Sequence, residues 1–488
     1  MSSLSQYLAA PESLNYTMRQ KNLTFRILFT LSLTWLFSVA LVWPINAAGS
    51  DPFNTAADIS KGPLDIAGDD AQCNRDKIRT PLSLADVVDL ALCNNPQTRS
   101  LWAAARAQAA QVGVSTSAYL PTLSAQASVT QNFPVRGNQA LDSYTSKNAN
   151  LSASYLLYDF GGRSATLENA KQLLIAVNAT RDATLQSNYL SAVQAYYALL
   201  SARGSVLSFK VAETSARESL AAAQARHQAG VATPVDRLQA QTTLSQATFN
   251  RINAEGNERN AQGTLANLMG FDATQFYILQ AVSDATPDPV IEQDIGKLIA
   301  DARQKRPDLA AAESQIKAAE AQLDATRATG RPSITLGAMT GVTEVTNLPD
   351  SRNSSIGITL SVPLFSGYRT TYQSRAAEAQ VQGRVAERDR LANQIALDVW
   401  KAYQGMLSNS QALRSADDLV AAAEQSAKMV LGRYKAGIGN ILDTLTAQSI
   451  LANAHQQRVS ALYSFLLGRF ALAQAIGQLD LTLTEGRN

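Results

Sequence analysis

The feature that most constrains this chain is a repeat: the stretch from about Ser83 to Gly270 is written again from about Asp294 to Gly477. Asn95-Pro96 returns as Arg306-Pro307, and Leu120-Pro121-Thr122 as Gly330-Arg331-Pro332. The segment from Leu157 to Arg163 returns as Leu364 to Arg369, and Arg226-His227-Gln228-Ala229-Gly230 as Arg433-Tyr434-Lys435-Ala436-Gly437. Asp236 and Asp443 each follow their glycine by six residues, and Leu268-Met269-Gly270 matches Ala475-Ile476-Gly477. The offset falls from about 211 residues at the first markers to about 207 at the last, so each inference from one copy is testable on the other.

Each copy opens with a helical pattern, about Ser83–Ala118 and Ile295–Thr329, with Ser83 as N-cap and Asp86 favouring the positive helix end. Pro121 and Pro332 stop it. The pattern then changes to period two at 122–129 and 148–155, and again at 334–338 and 356–364, which predicts four strands with one apolar face each. Their connections, Gln131–Lys147 and Gly341–Ser354, are polar and unequal in length, as exposed loops are.

Very long proline-free stretches follow, about Arg163–Ala229 and Arg369–Ala436, rich in good helix formers. Each would run roughly 100 Å at the helical rise. Gly230 and Gly437 sit where a left-handed residue ends a helix, and return helices are expected over about Val235–Met269 and Leu442–Ile476. The opening and return helices together match one long helix in length.

The expected division is 1–48 signal peptide, 49–82 N-terminal arm, 83–270 repeat 1 with strand pair 122–158, 271–293 connector, 294–477 repeat 2 with strand pair 333–365, and 478–488 tail. The signal reading rests on Arg19, Lys21 and Arg26 before an apolar run at 27–42, followed by small residues Ala47 to Ser50. That run is shorter than the roughly 20 residues of a spanning helix, which a membrane anchor would need. An exported chain meets an oxidising compartment, where its two cysteines, Cys73 and Cys93, can bridge or remain as buried thiols. A bridge would close a loop of about 20 residues and stabilise by roughly 3 kcal/mol.

With 42 Lys+Arg against 40 Asp+Glu the chain lacks the basic excess of nucleic-acid binders. His227 and His455 are its only histidines, so neither a metal site, a cofactor nor a catalytic triad is expected. Export and amphipathic strands point elsewhere. Without a 20-residue apolar helix in the mature chain, only a closed barrel could span a bilayer, since every backbone polar group must be paired in lipid. Four strands cannot close, and known barrels begin at eight. Eight strands leave an interior filled by side chains and twelve begin to leave a channel, so three chains are the smallest conducting solution. The competing architecture is a non-conducting periplasmic coiled-coil protein whose strands form a small sandwich.

At the glycine turns the chain resembles the TolC family of outer-membrane factors. The residues that carry the likeness are Arg433-Tyr434-Lys435-Ala436-Gly437 followed by Asp443, the strand-to-helix junction Leu157 to Arg163, and Ala91-Leu92-Cys93-Asn94-Asn95-Pro96, together with the duplication, over 82–477. The resemblance implies a homotrimer in which a twelve-stranded outer-membrane β-barrel continues into a periplasmic α-helical barrel. An adaptor protein and an inner-membrane ABC or proton-driven transporter would dock at its tip. It favours type I secretion of repeat-rich toxins of the cyclolysin kind, with small-molecule efflux as the alternative. It also places the gate at the tip: Gly230 and Gly437 form the turns, Asp236 pairs with Tyr434, and Asp443 forms a ring of carboxylates around the pore. Gly439 stands where some members carry an arginine, and Thr446 where a second acid would stand, so fewer charged restraints are expected.

Overall fold

The computed structural model describes residues 51–60, 64, 81–137, 139–280 and 294–479. The expected signal segment, Cys73, most of the arm, most of the connector's second half and most of the tail lie outside these residues. The chain divides at Ala56 into two units. The first, described over 51–56, is a turn in which the Asp51 carboxylate accepts the Ala56 N–H at 2.9 Å.

In the second unit, repeat 1 runs α1 (Leu84–Asn94), α2 (Pro96–Ser117), β1 (Thr122–Asn132), β2 (Val135–Arg136), β3 (Gln139–Ala140), β4 (Tyr144–Tyr158), α3 (Gly162–Gln228) and α4 (Pro234–Leu268). Repeat 2 runs α5 (Ile295–Lys305), α6 (Pro307–Ala328), β5 (Ser333–Val345), β6 (Ser351–Ser361), α7 (Arg369–Lys435) and α8 (Ile441–Ala475). Both long helices have 67 residues and both return helices 35.

The opening helix differs from the expected continuous one. It breaks at Asn95 (φ −62°, ψ 126°) and at Arg306 (φ −71°, ψ 122°). The following proline disfavours the helical conformation of the residue before it, and then serves as first residue of the next helix. The two breaks are finished differently. Asn95 caps α2 by accepting the Gln97 N–H at 2.9 Å, whereas Arg306 binds Asp308 at 2.6 Å and Asp398 at 3.3 Å. Each return helix ends against a break: a Cβ on Gly270 would lie 2.8 Å from the Asn94 carbonyl oxygen, and one on Gly477 3.0 Å from the Lys305 carbonyl carbon. Both glycines have positive φ, so these contacts need glycine twice over.

The polar loop 131–147 also departs from expectation, since β2 and β3 pair within it as a two-stranded ribbon. The main sheet has the order β1-β4-β5-β6, entirely antiparallel, and the β4–β5 pairing joins the repeats. Its register sorts the faces. Leu123, Ala153, Ala338 and Ile356 form one cross-strand row, and Ser128, Asn148, Thr343 and Ser351 another on the opposite face. The apolar face is uncovered in the protomer: Leu123 is 71% exposed and Ile356 77%. On the polar face Ser124 and Ser152 share a hydrogen bond at 2.7 Å, and Thr343 donates to Asn148 at 2.8 Å.

The core lies at the helical waist. Val87, Val88 and Leu92 of α1 pack with Tyr189, Tyr196 and Leu199 of α3, and with Leu265 and Met269. The second copy builds a smaller equivalent from Leu298, Ala302, Ile395, Val399 and Tyr403. A parallel bridge between Leu82 and Leu279 straps the connector across the waist. At one end of the arm, fully buried Arg181 lies 4.5 Å over the Trp102 ring and donates to the Ser60 carbonyl at 2.6 Å. Cys93 is disulfide-bonded.

Candidate functional site at the glycine turns

The end of the unit opposite the sheet consists of two helix turns with the same backbone chemistry. After α3 the Gly230 N–H donates to the His227 carbonyl and the Val231 N–H to the Arg226 carbonyl, each at 3.0 Å. After α7 the Gly437 N–H donates to Tyr434 at 3.0 Å and Ile438 to Arg433 at 3.1 Å. This pattern satisfies the last helix carbonyls and requires a left-handed residue, met by Gly230 (φ +75°) and Gly437 (φ +85°).

The return helices then start differently. Thr233 caps α4, and the two groups reciprocate: Asp236 N–H donates to Thr233 Oγ1 at 3.3 Å, and the Thr233 N–H donates to Asp236 Oδ2 at 2.9 Å. In the second copy Asn440 caps α8 alone, accepting the Leu442 N–H at 3.1 Å. Asp443 occupies the same helical position as Asp236, is exposed, and has no hydrogen-bond or ion-pair partner among the described residues. One aspartate is held to its own helix and its twin is free.

Tyr434 is 3% exposed and packs with Ile441, Leu445 and Ala222. The pairing of its hydroxyl with Asp236, expected from the resemblance, is not formed in the protomer. That hydroxyl has no hydrogen-bond partner among the described residues, and the Asp236 carboxylate closes its own capping box. The residue that holds Tyr434 is one the sequence reading gave no role. Arg226 lies 4.8 Å over its ring and donates Nη1 to its main-chain carbonyl at 2.6 Å. Arg226 Nε is also buried without a partner. Burial pushes the Tyr434 hydroxyl's pKa up; Arg226 opposes this and the Asp236 charge adds to it.

Gly439 has a steric reason to lack a side chain. A Cβ there would lie 2.8 Å from the Tyr434 backbone nitrogen and 3.0 Å from the Arg433 carbonyl carbon. The turn excludes an arginine at this position, whatever its charge could do. Above the turns α3, α4 and α8 line an open groove of about 750 Å³ whose walls include Phe209, Leu238, Thr242, Leu445 and Ser449. No group of three or more His, Cys, Asp or Glu among the described residues could hold a metal ion. Among the same residues no helix is long and apolar enough to cross a membrane.

The pattern of the outer membrane efflux protein family matches residues 87–271 and 298–478, once per repeat. The chain belongs to this family. As an outer membrane efflux protein the chain carries the family pattern in both of its repeats, and the TolC-type reading of the residues agrees with it. Membership places the protein in the outer membrane. Protein CyaE of Bordetella pertussis is 30% identical over 412 residues, 83% of this chain and 86% of that protein. The pyoverdine export outer membrane protein OpmQ of Pseudomonas putida is 27% identical over 351 residues, 70% of this chain and 74% of that one. The solved outer-membrane channel OprN superposes with a TM-score of 0.73 at 21% identity, over 81% of this chain and 90% of that one, which shows a shared fold.

Proposed function

We propose that three copies of this chain form an export conduit across the outer membrane, gated at the glycine turns, and that its cargo is protein delivered by a type I system. The observation that carries the conduit is the sheet. It has one exposed apolar face, one hydroxyl- and amide-rich face, and two edge strands, β1 and β6, without partners in the protomer. Such a sheet needs lipid on one side, water on the other and further strands at both edges. Three copies bring twelve strands, enough to leave a lumen.

In this reading the helical part extends into the periplasm, where an adaptor protein and an inner-membrane transporter engage the tip. The free Asp443 carboxylates line the constriction, where three like charges about one axis attract cations. Arg226 on Tyr434 holds the closed state, with Asp236 shaping the neighbouring helix start.

Similarity to Protein CyaE supports protein secretion; similarity to a pyoverdine export protein favours small-molecule efflux as the second reading. Deleting the gene and measuring both outputs separates them. Protein secretion should be lost with resistance to small toxic compounds unchanged; the reverse outcome overturns the secretion reading. Purified protein that forms no conducting, heat-resistant trimer in lipid would overturn the conduit itself.

A further inference from the structure

We infer that the contacts between subunits at the tip repeat, one copy further on, the contacts that join the two repeats inside each protomer. The inference rests on the trimeric conduit proposed above. Within the protomer, three of the contacts that tie α3 to the second repeat lie towards the tip. Ser219 Oγ donates to Gln448 Oε1 at 3.1 Å, Arg226 lies on Tyr434 and binds its carbonyl, and Ala222 packs against Ile441 and Leu445.

Each of these residues has a twin about 207 positions away. Ser219 and Gln448 map to Ser426 and Gln241, so the same two side chains recur. Arg226 and Tyr434 map to Arg433 and His227, again a guanidinium and a flat ring. Ala222 and Leu445 map to Met429 and Leu238, an apolar pair.

Inside one chain the twins cannot meet. Ser219 (1% exposed) and Leu445 (6%) are covered, whereas Met429 (68%) and Leu238 (52%) are bare, and both Ser426 and Gln241 are exposed. The Arg433 guanidinium has no partner among the described residues. The protomer's own folding gives no reason to keep a serine opposite a glutamine, or an arginine opposite a ring, at positions where nothing pairs them. A second copy of this chain supplies the reason. A ring of six alternating repeats presents to each α7 the α4 of the next copy, just as α8 is presented to α3 inside the protomer. Ser426 then binds the partner's Gln241, Met429 covers the partner's Leu238, and Arg433 lies on His227 of the partner subunit and donates to its main-chain carbonyl.

The pore would thus be closed by six arginine–ring contacts of two kinds, three within subunits on tyrosine and three between subunits on histidine. Paired cysteines in the full chain, treated with a short thiol-specific cross-linker in the assembled state, test the pairing. Met429→Cys with Leu238→Cys should yield covalent trimers on a denaturing gel, and either substitution alone should not. Ala222→Cys with Leu445→Cys, the internal twin, should link within the chain and leave subunits separable. If the undenatured protein is trimeric and the internal pair links, yet neither Met429→Cys with Leu238→Cys nor Ser426→Cys with Gln241→Cys joins subunits, the inferred interface is wrong while the conduit stands. Unmodified protein that is monomeric in native conditions overturns the conduit and the interface together.

Discussion

The third residue of each return helix is aspartate, and the residue three places earlier decides what that aspartate does. Threonine at 233 engages Asp236 in a reciprocal cap, while Asn440 reaches Leu442 and leaves Asp443 unpaired. Asp236→Ala should therefore lower stability by about 1 kcal/mol, as loss of a cap does, read as a fall in melting temperature. Asp443→Ala should leave the melt unchanged and reduce cation preference in planar-bilayer recordings; unaltered selectivity would remove it from the pore lining. The Tyr434 hydroxyl has no partner, so Tyr434→Phe should change stability by no more than about 1 kcal/mol and leave the channel closed. Arg226→Ala removes both the cation–π contact and the bond to the Tyr434 carbonyl, and should raise single-channel conductance. Of this site the sequence made legible the two glycines, the two aspartates and Tyr434, because a left-handed turn and a helix start have local signatures. It hid Arg226, whose partner lies across a contact with no local trace. The repeat of arginine ahead of both glycine turns was the available signal.

At the scale of elements, period and length carried most of the fold. The long and return helices begin and end within a residue or so of their expected bounds, since no proline interrupts them and glycine ends each. The breaks at Asn95 and Arg306 are not legible in the pattern, although Pro96 and Pro307 mark both places in the repeat. A proline starting a helix and one dividing a longer pattern look alike until backbone angles are known. Side-chain bonds between long helices were equally hidden. Glu213 of α3 accepts Thr248 Oγ1 at 2.8 Å and Arg251 Nε at 2.8 Å from α4, and also pairs with Arg217. The Thr248 hydroxyl first, then Arg251, hold its carboxyl below the usual value. With the folded pKa depressed, its contribution is complete above the unfolded value of about 4.3 and lost as pH falls through the folded one. Protection of the α4 amides, measured against their intrinsic exchange rates, should therefore fall as pH drops below about 4.3, and Glu213→Gln should flatten that change. The second copy pairs Arg458 with Asp417 at 2.7 Å instead, so α8 provides a comparison in the same molecule.

For the whole molecule, the sheet decides where the chain can live. Among the described residues both of its outer edges are unpaired, and the row Leu123, Ala153, Ala338 and Ile356 carries an apolar surface from edge to edge with no helix over it. The helical tip could close a pore without lipid, but this sheet could not remain dispersed in water, where a bare apolar edge strand recruits others. Membrane insertion and closure of the barrel draw on the same sheet, and a single substitution on the outer face should disturb both. Ile358 is 68% exposed and opposite Leu336, which places it on the apolar face. Arginine there should cost about 2–4 kcal/mol per subunit near the bilayer midplane, and three times that in a trimer. Ile358→Arg should accordingly abolish heat-resistant oligomers in outer-membrane fractions. Ser128→Arg, on the polar face in the row of Asn148 and Thr343, should preserve the oligomers and change only conductance. If the two substitutions act alike, the sheet does not separate lipid from water and the faces have been assigned the wrong solvents.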